Sequence, residues 1–417
     1  MKLLHNIGRL VTGTDRGALE GAAVLVEDGR ITWYGGGRPG APAPAQPLRP
    51  PVRMLEAAGS DGPEEVDCGG RLLTAGLIDA HTHPVYAGNR HAEIASRTAG
   101  ESYAAIAAAG GGIASTVAAT RAADPAALGA DLEARLGDWL RGGTTTVEAK
   151  TGYHLEESGE LQDVARLVRL RDHPGLPRVV TTFLPAHDLP PGWEGTRDAY
   201  VEAASTWSPQ AARAGAEFCD VFCDRGAFTV AESRRVLLAG RAAGLRLRIH
   251  ADELERTGGS QLAAELGAVS ADHLLRAEAV DAGALARAGV VATLCPVTAL
   301  SLRCAPPARL LLDAGVTVAL ATDHNPGTSG TTSMSLVIAL AVAELGLSVD
   351  EALIAATRGS AASLHVGDRG RIEVGQLADC VAWEAEHEGA FAWAMGLRPW
   401  RVWRGGEPAE AGPSRAG

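Results

Sequence analysis

At 417 residues, 46 % of them hydrophobic and 21 % charged, the chain has a globular composition and room for one α/β barrel of roughly 250 residues beside a smaller domain. Its formal net charge of −12 argues against nucleic acid or an anionic membrane as partner, because either polyanion would be repelled and the sequence carries no compensating basic patch. Six cysteines scattered along so long a chain form no disulfide framework and read as reduced, mostly buried thiols.

The first residues, MKLLHNIGRL, interrupt their apolar stretch with His5, Asn6 and Arg9, unlike a signal peptide. The longest apolar run, Leu336 to Val342, stops at Glu344 and is too short to span a membrane. A cytoplasmic protein is the expectation. Between Ala22 and Gly36 two β-like stretches flank Asp28-Gly29, which predicts a hairpin. Residues 37–63 are rich in Pro, Gly and Ala and predict a loop insertion. Residues 1–70 therefore read as the first part of a small β domain.

From 71 to 365 short apolar runs alternate with longer Ala- and Leu-rich stretches of helical character, the pattern of βα units. The runs are Leu77–His83, Thr144–Lys150, Val179–His187, Phe218–Asp224, Leu245–Asp252, Ala268–Leu274, Val290–Pro296 and Val316–Asn325. Eight of them predict an α/β fold, a closed (β/α)₈ TIM-like barrel with its reactive groups at the C-terminal strand ends. Residues 366–417 return to short β-like pieces, so both chain ends are predicted to pair into one small β-sandwich domain, with 407–417 frayed. The Gly110–Gly112 run is compatible with a loop over the pocket or a simple helix break.

His81 and His83 flank Thr82 at the end of the first run, and in an extended chain side chains two apart point the same way. Alone, H-x-H is weak evidence. His250, His273 and Asp323, however, each fall at the end of a different run, the fifth, sixth and eighth. A barrel would bring all five to one mouth, where imidazole and carboxylate suit zinc or ferrous iron. A bound divalent ion supplies hydroxide near neutral pH for attack on an amide carbonyl. Asp323 could ligate and accept a water proton, Glu253 lies three residues beyond His250, and His273 could hydrogen-bond a developing oxyanion. Against this, Glu253 also reads as a solvated carboxylate at a helix start, and His273 as a core histidine.

The stretches GLIDAHTH (Gly76–His83), HADE (His250–Glu253), SADH (Ser270–His273) and ATDHNPGTS (Ala321–Ser329) resemble the amidohydrolase superfamily. HPVYAGNRHAE (His83–Glu93), SYAAIAAAGGGIASTVAATR (Ser102–Arg121) and GTTTVEAKTGYHLE (Gly143–Glu156) narrow the resemblance to its imidazolonepropionase family. It implies one zinc or iron ion on His81, His83, His250 and Asp323, and hydrolysis of the cyclic amide of 4-imidazolone-5-propanoate to N-formimidoyl-L-glutamate in histidine breakdown. It further implies that Glu253 and His273 handle protons together with Asp323. Arg90, Tyr153, His187, Glu253, Asn325, Gly327 and Thr328 would contact substrate, with Tyr103 a weaker candidate. A planar guanidinium such as Arg90 suits the propionate, with hydrogen-bond donors expected from Tyr103, Tyr153 and His187. Thr151 and His154 depart from the Ser and Gly of the family's KSGYG-like stretch, and Pro185 and Asp188 flank His187 unusually. His154 adjoins Tyr153 and so bears on substrate choice.

Three other readings compete. A two-metal, hydantoinase-like site would need a modified lysine, and Lys150 falls on the second strand rather than the fourth. An aminohydrolase of a nucleobase-like heterocycle could use the same H-x-H, HADE and TD arrangement. A non-catalytic metal-binding barrel could keep the fold without the chemistry. A homodimer is compatible with a protein of this kind, although no feature fixes an interface.

Overall fold

The computed structural model describes residues 1–40, 48–56, 62–101, 105–106 and 109–409. Both chain ends build one mixed sheet. Its strands are β1 (Lys2–Val11), β2 (Ala18–Glu27), β3 (Arg30–Gly37), β4 (Glu64–Asp67) and β5 (Leu72–Ala75) from the front of the chain. The barrel strands follow as β6 to β13, and the sheet is completed by β14 (Cys380–Trp383), β15 (Pro399–Arg404) and β16 (Glu407–Pro408). The β2–β3 hairpin turns at Asp28 and Gly29 with φ of 49° and 74°, the doubly positive pair that matches the twist of the flanking strands. Leu4, Ile7, Leu10, Val24, Ile31, Cys380 and Trp403 form the buried core on this sheet.

The segment 37–63 holds more order than its composition predicts. A short helix spans Val52–Glu56 after Pro50-Pro51, and its Met54 and Leu55 pack against Leu3, Ala23 and Leu25. Two apolar side chains in an otherwise weak segment suffice to dock one helical turn on a sheet face. Within it, 41–47 and 57–61 lie outside the described residues, as do 410–417 of the expected frayed end.

Eight parallel strands form the barrel in chain order: β6 (Leu77–Asp79), β7 (Thr144–Lys150), β8 (Arg178–Ala186), β9 (Phe218–Cys223), β10 (Arg246–Ala251), β11 (Ser270–His273), β12 (Val291–Leu294) and β13 (Val318–Leu320). Each lies inside, or within one residue of, one of the eight runs read from the sequence. The first and last strands meet just beyond their ends, where Asp323 N donates to His81 O at 3.0 Å and His83 N to His324 O at 2.8 Å. Thr82 and His324 form the parallel bridge there, so the closure of the barrel and the convergence of its functional side chains are one event.

The helices between strands show why these segments fold as they do. Pro125–Arg141 starts on Asp124, whose carboxylate accepts from Ala126 and Ala127 N, with Pro125 in the first turn. It buries Leu128, Leu132, Leu136 and Leu140, spaced four apart on one face. Val230–Ala242 begins with a reciprocal capping box between Thr229 and Glu232. All six cysteines are free, and five are buried. Among the described residues no helix is long and apolar enough to cross a membrane.

Candidate functional site

His81 and His83 follow β6, His250 lies in β10, and Asp323 follows β13. Their donor atoms converge. His81 Nε2 and His83 Nε2 lie 3.1 Å apart and His83 Nε2 and His250 Nε2 3.3 Å apart. Asp323 Oδ1 is 3.5 Å from both His81 Nε2 and His83 Nε2. All four side chains are nearly fully buried.

Neighbouring carboxylates decide what these nitrogens carry. His81 Nδ1 donates to Asp272 Oδ2 at 2.6 Å, and His250 Nδ1 faces Asp220 Oδ1 at 3.2 Å. With Nδ1 holding the proton, each Nε2 is a bare lone pair. His83, whose Nδ1 has no hydrogen-bond partner among the described residues, can offer at most one N–H to the lone pairs of His81 and His250 and the Asp323 carboxylate. The remaining acceptors repel in a dry interior unless a cation lies between them. Two ligands at the usual zinc to nitrogen distance in a tetrahedron stand about 3.3 Å apart. The donor set therefore fits a divalent cation.

Beneath it lies a layer of charge absent from the expected site. Lys150 Nζ is 2.8 Å from Glu148 Oε1, 2.8 Å from Asp220 Oδ2 and 3.7 Å from Asp272 Oδ2. Arg248 Nη2 donates to Asp272 Oδ2 at 3.0 Å and to Ala80 O at 2.8 Å. With Asp323, this cluster sets four carboxylates against two cations, an excess of two negative charges that a dication would cancel. Burial would lower the Lys150 pKa, but Asp220 and Glu148 outweigh it and hold the ammonium charged. The lysine considered for a two-metal site is thus on β7, the second barrel strand, and engaged with carboxylates.

Asp323, His273 and Asp252 all adopt positive φ, 49°, 73° and 51°. Non-glycine residues are held so only where the surrounding structure enforces it. Burial pushes the Asp323 carboxyl up to about 7, against a hydrogen bond from the Thr298 hydroxyl. A divalent ion beside it would act in the opposite direction. Glu253 is nearly buried, and burial together with the charges of Asp323 and Asp224 raises its carboxyl well above the usual range. It does not start a helix: the next one is Gly259–Leu266, and Asp224 holds the turn by accepting from the backbone N–H groups of 253, 254 and 255. His273 Nε2 stands 3.7 Å from Glu253 Oε2, and neither ring nitrogen of His273 has a hydrogen-bond partner among the described residues.

These groups open into a cleft also lined by Arg90, Tyr153, His187, Asn325 and Thr328. His187 stacks on His83, centroids 4.9 Å apart and planes within 13°. Its Nδ1 donates to Gly152 O at 3.0 Å, so the expected donor role is replaced: in the neutral ring, Nε2 can only accept. Burial pulls its pKa down to about 3, keeping it neutral. Arg90 Nε is held by Glu93 at 3.0 Å, and Glu93 also accepts from Gly112 N at 2.8 Å. The glycine run thus starts the helix Gly112–Ala122. Asn325 Oδ1 accepts from Gly327 N and Thr328 N, both at 2.8 Å. Gly327 lies against the Arg90 guanidinium. Thr151 and His154 do not line the cleft. Tyr103 lies outside the described residues.

Residues missed by sequence reasoning are Glu93, Glu148, Asp220, Asp224, Arg248, Asp272 and Thr298. The five that lie on barrel strands or at their ends carried one signal, since charge inside a strand covered on both faces must find a buried partner.

Residues 84–408 match the Amidohydrolase family. The chain is 41 % identical over 402 residues to an imidazolonepropionase of Mycolicibacterium smegmatis, covering 95 % of this chain and 94 % of that one. It is 44 % identical over 373 residues to an imidazolonepropionase of Geobacillus kaustophilus, covering 88 % and 85 %. In structure it is similar to an adenosine deaminase from Xanthomonas campestris with bound zinc, at a TM-score of 0.67, 20 % identity and coverage of 98 % and 92 %. It is also similar to the zinc complex of an atrazine chlorohydrolase from Arthrobacter aurescens, at a TM-score of 0.69, 18 % identity and coverage of 99 % and 95 %.

Proposed function

The chain belongs to the Amidohydrolase family and, within it, to the imidazolonepropionases, and on that premise we propose that it hydrolyses the ring amide of 4-imidazolone-5-propanoate to N-formimidoyl-L-glutamate. The observation that carries this reading is the facing of the His81, His83 and His250 Nε2 atoms beside Asp323, with Asp272 and Asp220 fixing the lone pairs on His81 and His250.

His81, His83, His250 and Asp323 would hold one zinc or iron ion. When bound, such an ion polarises the ring carbonyl and makes a water nucleophilic near neutral pH. A single ion is favoured because the Lys150 ammonium, engaged by Glu148 and Asp220, is not available as a bridging ligand.

The remaining work falls to the protein's own groups. Glu253 takes the proton of the attacking water and returns it to the ring nitrogen as the C–N bond breaks. His273, 3.7 Å from it, donates to the carbonyl oxygen as negative charge develops there. Arg90 grips the propionate, with Tyr153, Asn325 and Thr328 along the same wall. His187 Nε2 accepts a ring N–H.

The test is to incubate metal-loaded protein with 4-imidazolone-5-propanoate, follow the loss of its ultraviolet absorbance and identify formimidoylglutamate. Ammonia release from a nucleobase-like heterocycle, without action on the imidazolone, would replace this reading with deamination. Carefully purified protein that binds no metal would replace it with a non-catalytic barrel.

A further inference from the structure

Residues 151–156 follow β7 as a strap with two faces, and its Tyr153 lines the cleft. The inner face carries two contacts of the site: Gly152 O accepts from His187 Nδ1 at 3.0 Å, and the Tyr153 ring packs 5.2 Å from that of His187 and 6.0 Å from that of His83. The outer face is tied to two helices at His154 and its neighbours Leu155 and Glu156. Its Nδ1 donates to Asp163 Oδ2 at 2.7 Å, and its backbone N–H donates to Glu160 Oε1 at 2.9 Å. Leu155 N donates to the same Glu160 oxygen at 2.8 Å. Arg121 Nε donates to His154 O at 2.7 Å.

The His154 ring sits in a notch that glycine alone permits, since a Cβ on Gly159 would come within 2.4 Å of it. The charged groups facing it are Glu160, Asp163 and Arg166 from the helix Glu157–Leu170, Arg121 from the helix Gly112–Ala122, and Glu156 of the strap itself. Glu160 and Asp163 are fully buried. With His154 protonated, two cations, His154 and Arg166, stand against these two carboxylates. Burial and the charge of Asp163 raise the Glu160 carboxyl to about 7. As pH rises past neutrality Glu160 therefore gains its charge while the ring loses its own, and buried negative charge beside the strap is left uncompensated.

We propose that His154 is a positioning residue for Tyr153: its charged ring clamps the strap onto the helix Glu157–Leu170, and loss of its proton relaxes the clamp and weakens substrate binding without altering the chemical step. Burial alone would lower the His154 pKa, but the hydrogen bond and charge of Asp163 and the charge of Glu160 outweigh it, so the ring keeps its proton above the usual range. The clamp is engaged around neutral pH and lost as pH rises through that raised value. The substrate part of this inference rests on the proposed imidazolone hydrolysis; the mechanical part does not.

Two measurements separate them. In steady-state kinetics against pH, wild-type KM should rise on the alkaline side with little change in kcat. His154→Gly should raise KM about three- to tenfold at neutral pH and flatten that rise. His154→Asn, which can donate to Asp163 but carries no charge, should hold KM at the raised value across the same pH range, and a wild-type KM at neutral pH in this variant would overturn the role of the charge. Independently, hydrogen exchange of peptides spanning 151–156, corrected for intrinsic rates, should be faster in His154→Gly and in the wild type at alkaline pH. If the wild type turns over no imidazolone, the substrate reading falls and the exchange result still decides the clamp. Unchanged exchange, or one KM profile shared by all three proteins, would overturn it.

Discussion

His81 and Asp272, 191 residues apart in sequence, are joined by a 2.6 Å hydrogen bond in the floor of the barrel. The aspartate also takes Arg248 at 3.0 Å, so the tautomer of one candidate ligand is set by a residue that is itself held in place. Asp272→Asn leaves the volume unchanged and removes the charge that favours Nδ1–H. Metal affinity should fall about 10- to 100-fold, read by competition with a chelating dye. An unchanged affinity would mean that the backbone alone orients His81.

Lys150 has no such isosteric escape. Its ammonium stands between Glu148 and Asp220, each 2.8 Å away, with every partner fully buried. Lys150→Met would strand those carboxylates, and breaking a buried pair costs about 3–5 kcal/mol. Urea unfolding of the metal-free protein should show that loss. A variant as stable as the wild type would show that the two carboxylates take up protons without penalty.

Glu253 tests the chemistry apart from the metal. It contributes to the cleft wall but is not among the four converging donors, so Glu253→Gln should keep its metal while kcat falls about 10²- to 10⁴-fold. Loss of metal in parallel with activity would reassign Glu253 to the ligand set.

How far the site could be read from sequence follows from where its parts sit. His81, His83, His250 and Asp323 end strands, and strand ends are legible because each apolar run stops where the chain turns polar. Glu148, Lys150, Asp220, Arg248 and Asp272 lie inside strands. Their presence was visible, but their pairing depends on which strands become neighbours and in what register. Thr298, on the helix Pro296–Ser301, and Glu93 carry no local pattern that separates them from solvated residues. The segment 37–63 went the other way: an unpromising composition concealed Met54 and Leu55, whose docking only the sheet face reveals.

Gly327 bears on substrate affinity through a single contact. A Cβ there would stand 2.5 Å from Arg90 Nη1, so Gly327→Ala must displace the guanidinium from its place between Glu93 and the cleft. Displacing a positioning group by about 1 Å is expected to cost up to about 100-fold in kcat/KM. The loss should appear mainly in KM if Arg90 grips the propionate. A loss confined to kcat would argue that Arg90 acts at the reacting carbonyl instead.

The buried histidines give the fold an acid limit of definite sign. Burial holds His187 at a pKa of about 3, below the ordinary value of about 6.5 for an unfolded chain. Between those values the unfolded chain binds a proton that the folded one refuses. Its contribution is therefore complete above pH 6.5 and is lost progressively as pH falls towards 3. His187→Gln cannot take up that proton in either state. In metal-free protein, the slope of unfolding free energy against pH in this window should fall by about one proton, or about 1.4 kcal/mol per pH unit. His81, His83 and His273 are depressed by burial in the same direction, so most of the acid sensitivity should survive the substitution. An identical slope in variant and wild type would place His187 in solvent and remove it from the wall of the cleft.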